Sequence, residues 1–343
     1  MINIRTDLVL EAREIYKENH KNEPDIDGIE VVEESENDIK VTTIKVKDQN
    51  GAEKIGKPKG NYITIDMPKF TAYDGETMDR VSIVLSEVLE RLITIDIEKT
   101  VLVVGLGNWQ VTPDALGPKV TEKIMITRHL KTIMPEIIDD SVRPVCSVEP
   151  GVLGITGIET AEIIKGVVEK IKPDLVICID ALAARRVERV NATIQIGDTG
   201  ISPGAGVGNN RKQINEENLG VKVIAIGVPT VVDAVTITND TIDLVVDSLI
   251  KNSSNGTEFY KMLKSLDKNE KENLIKEVTA SKNNTDMIVT PKDIDLIINS
   301  LSKIIANGIN MALQPNMDME EINKFMGWFL KYWLGKMKYK SKY

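Results

Sequence analysis

The sequence is poor in the side chains that most metal and redox sites require, with two cysteines and two histidines in 343 residues. His20 and His129 cannot supply a His-Glu-x-x-His motif, and a multi-histidine zinc site is excluded. Any Ser-His-Asp or Cys-His enzyme would have to use one of these two rings. His129, after Thr127-Arg128, reads as a partner for the end of a helix. Cys146 and Cys178 lie in or beside apolar runs, the pattern of reduced, buried thiols in a cytosolic protein. No apolar run approaches the roughly 18–20 residues of a membrane span, and Met1–Arg13 has no apolar stretch of signal-peptide length. The expectation is a cytoplasmic protein with no membrane contact. The net charge is −9 and the pI near 5.1, which argues against nucleic-acid binding through bulk charge. No Gly-x-x-x-x-Gly-Lys-Ser/Thr loop is present. Gly105-x-Gly107 fails as a dinucleotide fingerprint, because its sixth position is Gln110 and no acidic strand end follows about 20 residues on.

What is present is enough apolar material, 42% of residues, for a large core. Val101–Val104, Leu175–Ile179 and Val221–Ile226 are short apolar runs, as expected of strands covered on both faces. Between them fall helical spacings. Met78, Val81, Leu85, Val88 and Leu92 share one face, and a capping-box spacing at Thr156–Glu159 leads into Ile163, Ile164, Val167 and Ile171. Strands alternating with helices predict a three-layer α/β/α fold with a mostly parallel sheet. Ile39–Lys47 and Asn61–Asp66 alternate like half-buried strands and predict a small accessory antiparallel β segment near the N-terminus. Thr290-Pro-Lys-Asp293 predicts the start of a C-terminal helix with proline at its first position. The expected organisation is an accessory β region over 8–75, an α/β catalytic core over 76–250 and a helical region over 251–314. An aromatic, basic tail over 315–343 reads as a packing or subunit-contact helix.

In an open parallel sheet, ligands bind beyond the carboxyl ends of the strands. Two aspartates fall there. Asp114 follows Thr112-Pro113, which read as N-cap and first helical residue, so its simplest role is to complement a helix dipole. Asp180 directly follows an apolar strand and precedes Ala-Leu-Ala-Ala, so it needs a partner, a metal or a proton. The helix start should keep Asp114 ionised and burial should raise Asp180, a division that can activate water and protonate a leaving amine. A divalent ion held by Asp114 and Asp180 is the alternative route, and no other cofactor is expected. Asn108 and Asp233 lie just past strand ends. Asp198, Arg211 and Lys212 belong to the glycine-rich stretch Gly197–Lys212, which suits a loop lining a substrate groove. These five are the substrate-binding candidates.

Val104–Pro118, Gly151–Thr160, Ile179–Arg185, Arg189–Gly200 and Ile226–Ala234 together resemble the germination proteases of spore-forming bacteria, and the resemblance runs from Ile4 to Gly308. It implies a fold similar to that of hydrogenase-maturation proteases, with catalytic aspartates at Asp114 and Asp180. It implies an endopeptidase that degrades small acid-soluble spore proteins, built as a homotetrameric zymogen and working in the forespore or spore core. Thr6–Glu11 resembles the family's processing site and substrate motif, so self-cleavage is expected at Asp7–Leu8, with 1–7 as the propeptide. No direct nucleic-acid partner is implied. A peptidyl-tRNA-hydrolase-like or phosphorylase-like hydrolase would share the layered fold, but lacks a suitably placed histidine. A module that binds spore proteins without cutting them is the non-enzymatic alternative.

Overall fold

Apolar runs that cannot face water on either side pair with one another and set the centre of the molecule. The computed structural model describes residues 6–20, 25–36, 38–68, 74–134, 138, 140–204, 211–252 and 287–327. The early strands are β1 (Ile29–Glu36), β2 (Ile39–Val46), β3 (Gly60–Asp66), β4 (Val101–Gly105) and β5 (Val145–Val148). They are followed by β6 (Leu175–Ala184), β7 (Thr193–Gly197), β8 (Val223–Asp233) and β9 (Ile288–Val289). Among the described residues these form one nine-stranded sheet in the order β1-β2-β3-β7-β8-β6-β4-β5, with β9 on β8. The centre, β5-β4-β6-β8, is parallel. The expected antiparallel segment is present as β1-β2-β3, but it is no separate sheet: β3 pairs with β7, and β7 pairs antiparallel with β8.

Alternation along the buried strands divides the core in two. Val101 and Val103 of β4, Leu175, Ile177 and Ile179 of β6, and Ile194 and Ile196 of β7 pack on one side. There they meet α3 (Gly75–Leu92), α4 (Leu116–Thr121) and α10 (Ile294–Leu313). On the other side Leu102, Val104, Val176 and Cys178 meet Ile164 and Val168 of α7 (Thr160–Ile171) and Leu219 of α8 (Glu216–Leu219). Above β2 and β3 the same side is covered by α1 (Val9–Asn19) and α2 (Gln49–Ile55). Helix α10 is long and apolar enough to cross a membrane, yet two thirds of that window is inside the protein against α3 and α4. Each fully buried Ile or Leu on it contributes roughly 1.5–3 kcal/mol, so its composition is that of a central core helix. The buried Arg143 guanidinium donates to the carbonyls of Leu313, Asp96 and Ile95, satisfying the end of α10.

Several boundaries differ from the sequence pattern. The helix expected at Thr156 begins at Thr160, because Gly157 takes a left-handed conformation that ends the short turn α6 (Leu153–Thr156). Thr156 Oγ1 accepts from Ile158 N instead of capping α7. Pro291 lies before the cap of α10, whose first helical residue is Ile294, and Thr290 Oγ1 donates to Thr230 O. His129 is at the start, not the end, of the short helix α5 (Arg128–Ile133). Strands β1, β5, β7 and β9 have no counterpart among the strands expected from the sequence. The tail beyond 327 and the region 253–286 lie outside the described residues.

Candidate active site

Strand β6 does not stop before Asp180. It runs on to Ala184, held by parallel pairing to β8 with a register shift between Leu182 and Ala183. Asp180 is therefore an internal strand residue, four positions from the end, rather than a residue just beyond it. The Ala-Leu-Ala-Ala stretch has weak strand propensity, and the long partner β8 carries it. Asp180 shares a face with Val176 and Cys178, the face opposite α3 and α10. Its side chain is 4% exposed and one oxygen accepts from Ala181 N at 3.0 Å.

Asp114 reaches the same place from β4. After Gly105 the chain turns through Leu106 and Gly107 into a three-residue 3-10 turn, Thr112–Asp114, with proline in its first turn. Asn108 N donates to the Asp114 carbonyl at 3.1 Å, and buried Thr230 of β8 donates its hydroxyl to Pro113 O at 2.8 Å, closing the turn against the sheet. Gly107 is required here: its φ is +115°, and a Cβ would lie 1.9 Å from the Asp114 carbonyl oxygen.

Asp114 and Asp180 line one cavity of about 250 Å³, together with Asp7, Leu182, Ala183, Arg211, Thr230 and Val231. Burial pushes the Asp114 carboxyl up to about 6, opposed by the Asn108 backbone and the Arg211 charge. The sequence reading had the opposite sign for this group. A single 3-10 turn has little dipole to offer, and loss of water outweighs it. Asp180 is raised much further, by burial first and then by the negative charges of Asp114 and Asp7, as expected of a strand carboxyl. The two acids thus differ in the pH at which each keeps its proton, and Asp180 holds its proton to the higher pH.

The third carboxylate belongs to the segment preceding α1. Asp7 N donates to Ala183 O at 3.3 Å and its Oδ2 accepts from Ala183 N at 2.9 Å, so this segment continues alongside the end of β6. Leu8 is fully buried against Leu182, Ala184, Val190 and Ile201. Glu11, 1% exposed, accepts from Arg185 N and Arg186 N at 2.8 and 2.9 Å and from the Thr6 hydroxyl. Opposite Asp180 across the sheet stand Gly227 of β8 and Gln195 of β7, in one register row and on one face. With strands about 4.8 Å apart, Asp180 and Gln195 are roughly 10 Å apart, and Gly227 leaves the space between them without a side chain of its own. Leu182 leans into part of that space, and Asp7 lies beside it.

Of the substrate-binding candidates, Arg211 alone lines this cavity. Asn108 uses its side chain in its own turn, accepting from Gln110 N at 2.9 Å. Asp198 clamps Asn61, accepting from its backbone and side-chain nitrogens at 2.8 and 2.6 Å. Lys212 is exposed and paired with Glu162 at 2.7 Å, and Asp233 ends β8 facing Thr236 N of α9 (Ala234–Asn252). Sequence reasoning passed over Lys57 and Gln195, which both touch the Asp7 carbonyl; Lys57 reads in sequence only as part of a turn. Among the described residues no group of three or more His, Cys, Asp or Glu converges as a metal cage. An ion at Asp114 and Asp180 would take its remaining ligands from water and substrate.

The sequence profile of a peptidase family described as "Germination protease" matches residues 9–263 and 247–326. The germination protease of Clostridium perfringens is 62% identical over 327 residues, 95% of this chain and all of that protein. That of Clostridium tetani is 57% identical over 325 residues, with the same coverage. The one from Priestia megaterium is 41% identical over 360 aligned positions, covering 94% of this chain and 97% of its own. On this footing the chain belongs to the germination protease family, peptide-bond hydrolases of spore germination.

Proposed function

We propose that the protein is an endopeptidase that begins the breakdown of small acid-soluble spore proteins during germination. We further propose that it is a homotetrameric zymogen of the forespore and spore core that removes residues 1–7 from itself by cutting Asp7–Leu8. The observation carrying this reading is that Asp7 lines the same cavity as Asp114 and Asp180. A segment with an acidic residue followed by a buried leucine is seated where a substrate would sit. In this reading Asp114, ionised near neutral pH, takes a proton from water as the water oxygen attacks the Asp7 carbonyl carbon. Asp180, which keeps its proton, gives it to the Leu8 nitrogen as the C–N bond breaks. The unequal burial of the two acids suits this division of roles.

Mass spectrometry of the full-length chain after incubation tests the reading. New termini at Asp7 and Leu8, absent from Asp114→Asn and Asp180→Asn chains, are expected. An intact Met1–Leu8 segment in chain that cleaves spore-protein substrate would overturn the self-processing, and variants that cut at the parental rate would overturn the two-aspartate mechanism. Cleavage that survives a chelator supports the direct route. Cleavage lost to it and restored by a divalent ion assigns the ion.

A further inference from the structure

Hydrolysis of an amide puts negative charge on the carbonyl oxygen, and a site lowers that barrier by holding donors where the charge develops. The Asp7 carbonyl oxygen has two. Lys57 Nζ donates to it at 3.0 Å and Gln195 Nε2 at 3.1 Å. Lys57 also donates to the Thr6 carbonyl at 3.3 Å, and it forms no ion pair among the described residues. Gln195 clasps the peptide from both sides, since its Oε1 accepts from Val9 N at 2.6 Å. We propose that Lys57 and Gln195 are the oxyanion-stabilising donors for cleavage of Asp7–Leu8. The assignment rests on the self-processing reading above.

The placement argues for a role beyond holding the segment down. Leu8 in its apolar pocket and Glu11 on Arg185 N and Arg186 N already fix the segment. A lysine needed only as an anchor would meet the Asp7 or Glu11 carboxylate, both near enough to act on its charge. Instead its protons point at backbone carbonyls, one of them the carbonyl to be attacked. Asp180 and Gln195 stand in one row with Gly227 between them, and Asp7 lines both the cavity of Asp114 and Asp180 and the neighbouring one of Lys57 and Gln195. The step then balances. The water oxygen bonds to the Asp7 carbonyl carbon, its proton passes to Asp114, and the carbonyl electron pair moves onto the oxygen held by Lys57 and Gln195. Collapse breaks the C–N bond, and the Leu8 nitrogen takes the proton from Asp180. Burial holds the Lys57 ammonium below its usual range, opposed by the charges of Asp7 and Glu11.

The test follows first-order self-cleavage of the full-length chain against pH, with hydrogen exchange over residues 6–11 reporting whether the segment stays seated. Lys57→Gln should slow cleavage about 100- to 1000-fold with the segment still protected, the usual loss for one oxyanion donor. Lys57→Arg should restore most of the rate, because arginine keeps the positive charge and the N–H donors. Gln195→Leu should also slow cleavage. Parental cleavage by Lys57→Gln, slow cleavage with an unprotected segment, or a Lys57→Arg chain as slow as Lys57→Gln would each overturn the assignment. A parental chain that is never cut at Asp7–Leu8 removes the self-processing reading and this assignment with it, whereas fast cleavage by Lys57→Gln removes the assignment alone.

Discussion

Replacing Asp114 by asparagine should make the protein more stable while stopping its chemistry. Burial raises this carboxyl from 3.8 to about 6, a difference of roughly 2 pH units. At 1.36 kcal/mol per unit, the folded state carries a penalty of about 3 kcal/mol for keeping Asp114 ionised at pH 8. The sign follows from proton binding. Below pH 3.8 the carboxyl is neutral in both folded and unfolded chains, and the penalty is absent. Between 3.8 and 6 the unfolded chain ionises first, so the penalty grows, and above about 6 it is complete. Asparagine has nearly the same shape, can still accept from Asn108, and removes one of the charges that raise Asp180. Urea unfolding of parental and Asp114→Asn chains at pH 4, 5, 6 and 8 measures this directly. The variant's advantage should be near zero at pH 4 and reach about 3 kcal/mol at pH 8. An equal advantage at both extremes, or a variant less stable at pH 8, would refute the assignment of Asp114 as an acid raised by its partial burial. The same group sets the kinetics: self-cleavage should rise with pH through an apparent value near 6, a property of the coupled pair.

Two further outcomes follow from the geometry. Glu11→Ala should destabilise the chain by roughly 1–3 kcal/mol for each of the two backbone N–H groups it strands at Arg185 and Arg186. It should also slow self-cleavage, and a urea midpoint equal to the parental one would sink the anchoring role. Gly107→Ala sets a Cβ against the Asp114 backbone oxygen in a conformation alanine resists, so it should cost at least ~2 kcal/mol and abolish cleavage. Cleavage at the parental rate would show that the turn does not position Asp114.

The sequence by itself determined the class of fold and put forward Asp114 and Asp180 as candidates. Fully apolar runs at 101–104 and 175–179 admit only strands covered on two faces, and residues at their ends are the ones a parallel sheet presents to ligand. The long motifs around Asp114 and Asp180 carried the family. Other elements were hidden because their signals were local compromises. Strand β7 is a five-residue run ending in glycine and exists because β3 and β8 pair with both of its edges. Gly157 breaks a helix that the capping pattern would have started.

Only the tertiary structure decided the sign of the Asp114 shift and the company the acids keep. The sequence shows a first-turn aspartate near a helix start; burial, which depends on Val231 and Leu182 packing round the cavity, reverses the consequence. Lys57 and Gln195 come from a turn and a strand 138 positions apart, and each meets the Asp7 carbonyl only once the N-terminal segment lies along β6. A pattern of spacing reports which residues share a face of one element. The field at a carboxyl and the donors on a carbonyl are set by neighbours from elsewhere in the chain, and those are fixed only when the sheet has closed in its register.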